Sequence, residues 1–103
     1  MKKLIKAKKT WIFRLEEADY FDFPETVILT GKNLDELASE YFLDFIKINY
    51  PENWKRNFKF VVQIETLERK GEEITTAYIM EYDLDPDDMW DSDCLGSYIV
   101  EER

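Results

Sequence analysis

The clearest pattern of apolar and polar positions runs from Asn33 to Asn49. Leu34, Leu37, Ala38, Tyr41, Phe42, Phe45 and Ile48 recur at spacings of three and four, and Asp35, Glu36, Ser39, Glu40, Asp44 and Lys47 fill the other side. This periodicity predicts an amphipathic helix of about four turns. Asn33 is a good N-cap, with Glu36 three residues on in capping-box position. Pro51 sets the far limit, because the residue before a proline is pushed out of helical geometry. The helix is therefore expected over about 34–49.

On either side of it the period falls to two. In "TWIFRLEE" Trp11, Phe13 and Leu15 share one face and Arg14 and Glu16 the other, which predicts a half-buried strand. Ile5 and Ala7 have the same parity, so that strand is open to an earlier start. "TVILT", ended by Gly31, reads as a second strand. After the helix, "PENWKRN" reads as a connecting loop. "FKFVVQIETL" then alternates, with Phe58, Phe60, Val62 and Ile64 facing one way. "ERKGEE" reads as a hairpin turn, and "ITTAYIMEY" returns with Ile74, Tyr78, Met80 and Tyr82 on one side. "SYIVE" is a candidate short last strand. The order β-β-α-β-β predicts an α+β fold: a four- to five-stranded antiparallel sheet with the helix packed on one face. With 103 residues and no linker-like stretch, residues 1–103 read as a single domain, in which 1–9 form a loose basic arm.

Charge changes this picture more than any other feature. The chain carries 23 acids and 14 bases, for a net charge of −9. Lys2, Lys3, Lys6, Lys8 and Lys9 lie in the first nine residues, so the other 94 residues hold nine bases against the 23 acids, a net of −14. A body this acidic repels nucleic-acid phosphate and is steered towards basic partners. "MKKLIKAKK" opens like a secretory signal, but no adequate apolar region follows it. No stretch reaches the length of a membrane span. Cys94 is the only cysteine. A cytoplasmic protein is expected, without direct contact to nucleic acid or membrane.

Catalytic parts are scarce. There is no histidine, which removes the commonest general base, metal ligand and partner of a serine or cysteine nucleophile. The three glycines, Gly31, Gly71 and Gly96, are too dispersed to cradle a phosphate. At "GKN" the acids Asp35 and Glu36 sit where an anion would bind, so that site reads as helix capping. In "DLDPDDMWDSD" (83–93), Asp83, Asp85, Asp87 and Asp91 match positions one, three, five and nine of an EF-hand loop. The loop fails at position six, where glycine is replaced by Asp88, and at position twelve, where glutamate is replaced by Cys94. No enzyme, no cofactor and no metal site is expected.

Two segments instead mix acids with large apolar groups. "EEADYFDFPE" carries Glu16, Glu17, Asp19, Asp22 and Glu25 around Tyr20, Phe21 and Phe23. "DLDPDDMWDSD" carries Asp83, Asp85, Asp87, Asp88, Asp91 and Asp93 around Met89 and Trp90. Acids steer encounter with a basic surface and aromatics supply hot-spot energy. The opposing reading is that Phe21, Phe23 and Trp90 pin their loops to the core and leave the acids in water. The profile of a small, acidic, histidine-free chain resembles that of the nucleic-acid mimics and inhibitors of phages and mobile elements, among them anti-CRISPR and anti-restriction proteins. The likeness is one of composition and transfers no site. The expectation is a non-enzymatic protein that binds a basic, nucleic-acid-binding surface of a partner protein. Its candidate contacts are Glu16, Glu17, Asp19, Tyr20, Asp22, Asp83, Asp85, Asp87, Asp88, Trp90, Asp91 and Asp93. The alternative is a structural or regulatory module that assembles with itself through an exposed sheet face holding Tyr78 or Tyr82, its acidity serving solubility alone.

Overall fold

A computed structural model describes residues 7–19, 21–54, 58–83 and 92–103. Five strands and two helices follow in the order β1 (Lys9–Ala18), β2 (Thr26–Gly31), α1 (Leu34–Asn49), α2 (Pro51–Trp54), β3 (Phe58–Arg69), β4 (Glu72–Asp83) and β5 (Ser92–Glu102). The strands form one antiparallel sheet in the order β2-β1-β5-β4-β3, with α1 on one face. The expected α+β architecture is thus present, with the full five strands.

Helix α1 occupies the predicted span. The Asn33 side chain accepts from the Glu36 N–H at 3.1 Å, satisfying one of the amides that a helix start leaves free. At the other end Tyr50 caps the helix, its N–H donating to the Ile46 carbonyl at 2.8 Å. The chain does not then open into the expected loop, because Pro51 begins the helical turn α2. Proline suits a first helical position, where its missing N–H is not needed and its φ is preset. Trp54 of that turn stacks on Phe60 with ring centroids 5.7 Å apart.

Residues directly opposite in antiparallel pairs share a face, so the register assigns each strand a core side. Trp11, Phe13 and Leu15, Val27 and Leu29, Phe60, Val62 and Ile64, Ala77 and Ile79, and Tyr98 and Val100 all face α1. From the helix, Ala38, Phe42 and Ile46 are fully buried against them. Phe42 is the hub, with ring centroids 4.8 Å from Tyr98, 5.8 Å from Phe13 and 6.3 Å from Phe23. Ile46, which falls outside the apolar set predicted from spacing, belongs to the buried row. Ile48, which falls inside that set, is 75% exposed.

Two more expectations about the strands are corrected. β1 begins at Lys9, the last residue of the expected arm, and Lys9 forms an exposed ion pair of 3.2 Å with Glu102. β5 is a long strand at the centre of the sheet rather than a short last one. Its alternation is masked in the sequence by a bulge: Ile79 pairs with Gly96 and Met80 with Cys94, leaving Leu95 unmatched. In β4, Tyr78, Met80 and Tyr82 share a side as expected; it is the side away from α1, and Ala77 and Ile79 meet the core. The β3–β4 hairpin closes through Lys70 and Gly71, both at positive φ (51° and 80°), as a two-residue turn of the I′ kind requires.

Candidate functional site

The first acidic segment leaves the end of β1. A bulge at Glu16 shifts the register between Leu15 and Glu17, after which Glu17 pairs with Ser97 and Ala18 with Gly96. Glu16, Glu17, Asp19 and Asp22 are all exposed. The aromatics beside them are not. Phe21 and Phe23 are 7% and 4% exposed. Phe21 stacks on Tyr50 at 4.2 Å and Phe23 lies 5.4 Å from Phe45, ring centre to ring centre. The Asp22 N–H donates to the Tyr50 hydroxyl at 2.8 Å, and the Tyr98 hydroxyl donates to the Pro24 carbonyl. For these two phenylalanines the pinning reading holds: they clamp the segment onto α1 and β5, and the carboxylates point outwards. Tyr20 lies outside the described residues.

The second acidic segment is described only at its ends. Asp83 closes β4, and Asp93 is exposed near the start of β5, opposite Glu81. Asp85, Asp87, Asp88, Trp90 and Asp91 lie outside the described residues.

The topology brings the described ends of the two segments to the same end of the sheet. Because β5 runs between β1 and β4, the end of β1 and the end of β4 both flank its start. The Asp19 N–H donates to the Leu95 carbonyl at 3.0 Å, tying the first segment to β5. Gly96 permits this closeness. A Cβ built there would stand 3.0 Å from the Phe23 ring and 3.1 Å from the Glu17 carbonyl. Cys94 sits at the join. Burial is the main cause that pushes its thiol above the ordinary value; a backbone hydrogen bond to Gly96 partly offsets it, and the charges of Asp19 and Glu17 add to the rise. A thiol held in its neutral form beside carboxylates is a poor nucleophile. Among the described residues no three histidine, cysteine, aspartate or glutamate side chains converge as metal ligands. Among the described residues this end of the sheet offers exposed negative charge on paired strands.

Two further surfaces escaped the sequence reading or were only touched by it. The sheet face away from α1 carries half-buried Ile12, Val61, Tyr78, Met80, Tyr82 and Ile99, and no described element covers it. Beside α1 lies a groove of about 450 Å³ lined by Leu29, Leu37, Glu40, Tyr41, Asp44, Phe45, Ile48 and Asn49. Its signal was present in the sequence as an apolar stripe too wide for one sheet contact. The row 38, 42 and 46 meets the sheet, and the row 37, 41, 45 and 48 is left to line the groove. No helix among the described residues is long and apolar enough to cross a membrane. No family model, no curated protein and no solved structure matches this chain.

Proposed function

We propose that this chain is a non-enzymatic interaction protein whose acidic sheet end engages a basic surface of a partner protein, of the kind that otherwise receives nucleic-acid phosphates. The observation that carries this reading is that exposed Glu17 and Asp19, at the end of β1, and exposed Asp93, at the start of β5, lie at the same end of the sheet, with Phe21 and Phe23 buried beside the first two. Carboxylates on a preorganised frame attract Lys and Arg without first losing loop entropy, which raises the encounter rate and gives specificity. The composition of the chain points the same way. Affinity capture from cell lysate at low salt, with duplex DNA as competitor, tests it. The captured protein should be released by DNA and by salt. It should also fail to bind the variant Glu17→Lys, Asp19→Lys, Asp93→Lys. Capture that survives DNA, high salt and the charge reversal would refute the reading.

The uncovered sheet face favours a second reading, self-association. Ile28 is 55% exposed there, and Tyr78 and Met80 have no second layer above them among the described residues. Sedimentation separates the two. A homodimer insensitive to salt and broken by Met80→Glu supports this alternative, and a monomer at every salt concentration removes it.

A further inference from the structure

The β2 edge and the groove beside it form a surface that the acidic sheet end does not use. Backbone phase comes first. The Leu15 N–H donates to the Glu25 carbonyl at 2.8 Å, and the Arg103 N–H donates to the Thr10 carbonyl at 2.8 Å. In β1, odd-numbered residues therefore turn their peptide groups towards β2 and even-numbered ones towards β5. With Phe13 opposite Val27 and Trp11 opposite Leu29, alternation makes Val27, Leu29 and Gly31 face β1. Thr26, Ile28 and Thr30 are left with their N–H and C=O groups directed outwards from the sheet.

That edge lacks the usual protection. Sheet edges are normally guarded by lysine, proline, bulges or inward charges. β2 has none of these: its sequence is TVILTG, and its register with β1 runs unbroken from Lys9–Gly31 to Arg14–Thr26. The opposite edge strand, β3, carries Lys59, Glu65, Glu68 and Arg69. Against the unguarded edge lies the groove, floored by Leu29, Leu37, Tyr41 and Phe45 and flanked by the 75% exposed Ile48. Its charged lining is Glu40 and Asp44, both exposed. Glu36, Glu40 and Asp44 follow one another at i, i+4 and i+8, an arrangement of like charges that weakens a helix. The one base within α1 is Lys47, which is not part of the lining.

We propose that β2 and this groove receive an extended, cationic segment of a partner protein, which adds to the sheet as a sixth strand. Main-chain bonds to Thr26, Ile28 and Thr30 supply affinity, as in other cases of strand addition. On the α1 side, alternate side chains of the segment supply selectivity: apolar ones enter the groove, and a Lys or Arg meets Glu40 and Asp44. A strand of six residues spans about 20 Å, so a heptapeptide suffices as a probe.

The test uses the full ¹⁵N-labelled chain and a capped heptapeptide with leucine, leucine, lysine and lysine at odd positions and threonine between them. A matching peptide with glutamate for lysine is the control. Binding of the lysine peptide should slow amide exchange at Thr26, Ile28 and Thr30, weaken with salt, and exceed binding of the control at least tenfold. Glu40→Lys with Asp44→Lys should remove that preference. Ile28→Pro deletes an outward N–H and no bond to β1, so it should abolish binding and leave the fold intact. Glu17→Lys with Asp93→Lys should leave peptide binding unchanged, which separates this site from the acidic sheet end. The proposal is overturned by a Kd weaker than roughly 1 mM for the lysine peptide, or by protection at other residues. A fold disrupted by Ile28→Pro would show the backbone phase to be wrong. A dimer formed through β2 that excludes the peptide would assign the edge to a second copy of the chain instead.

Discussion

Replacing Tyr98 by phenylalanine removes one oxygen from the centre of the sheet and leaves the ring packing in place. The ring is wholly buried and lies between Phe13, Phe23 and Phe42. Its hydroxyl donates to the carbonyl of Pro24, 74 residues away in sequence, and so joins the strand that carries the acidic sheet end to the segment that carries its first carboxylates. No cavity large enough to matter is made. The cost is the lost hydrogen bond and a half-buried carbonyl left without it, about 1–3 kcal/mol, or a fall in Tm of about 4–8 °C for each kcal/mol. A second coordinate comes from pH. Burial, with a smaller contribution from Tyr41, raises the Tyr98 phenol well above its ordinary value. In the unfolded chain the phenol ionises near about pH 10. Below that pH both states keep the proton and the difference between wild type and variant is constant. Above it the unfolded wild-type chain loses the proton first, so the wild type loses stability relative to Tyr98→Phe. At pH 11 its advantage should be smaller by about 1.4 kcal/mol. Urea unfolding followed by tryptophan fluorescence from pH 7 to 11 measures this, and the five remaining tyrosines cancel in the difference. A difference under about 0.5 kcal/mol at pH 7 would refute the hydrogen-bond reading. One that stays flat from pH 8 to 11 would refute the raised phenol.

Three further outcomes follow from single sites. Gly96→Ala places a methyl group against the Glu17 carbonyl and the Phe23 ring; it should cost about 1–3 kcal/mol in denaturant unfolding and speed proteolysis within residues 19–25, and a neutral result would mean that the first acidic segment is not clamped there. Lys70 bears a Cβ at a φ of 51°, so Lys70→Asn should raise stability by about 0.5–1 kcal/mol by thermal melting; a loss would contradict the I′ turn. Cys94 should react with iodoacetamide more slowly than free glutathione at pH 7.5, and faster once Glu17→Gln and Asp19→Asn remove the two charges that help to raise its thiol. Because burial is the larger cause, unfolding in urea should accelerate the reaction more than the double substitution does. No response to the double substitution would place the two carboxylates away from β5.

What the sequence determined by itself was local. The span of α1, its Asn33 cap, the stop at Tyr50 before Pro51, the core side of β3 and the turn at Lys70–Gly71 each depend on residues within about one helical turn or one hairpin of each other. Periodicity and φ/ψ preference operate at that range. The acidity that motivates the proposed partner was equally legible. Tertiary structure decided the rest. Ile46 rather than Ile48 is buried because the sheet covers only a narrow row of a wide apolar stripe. Phe21 and Phe23, flanked by carboxylates, read equally well as binding groups or as anchors until Tyr50, Phe45 and Gly96 were brought against them. Ala77 and Ile79 face the core and Tyr78 and Met80 do not, a choice that alternation leaves open because both faces of β4 are apolar. The central place of β5 is the decisive case. Its bulge at Leu95 breaks the alternation that would have revealed it, and its partners β1 and β4 are separated by most of the chain. Those long-range pairs draw the described ends of both acidic segments to one end of the sheet and leave β2, among the described residues, as an edge strand beside a groove. No local rule holds that information, because it arises only when residues distant in sequence compete to be buried against one another.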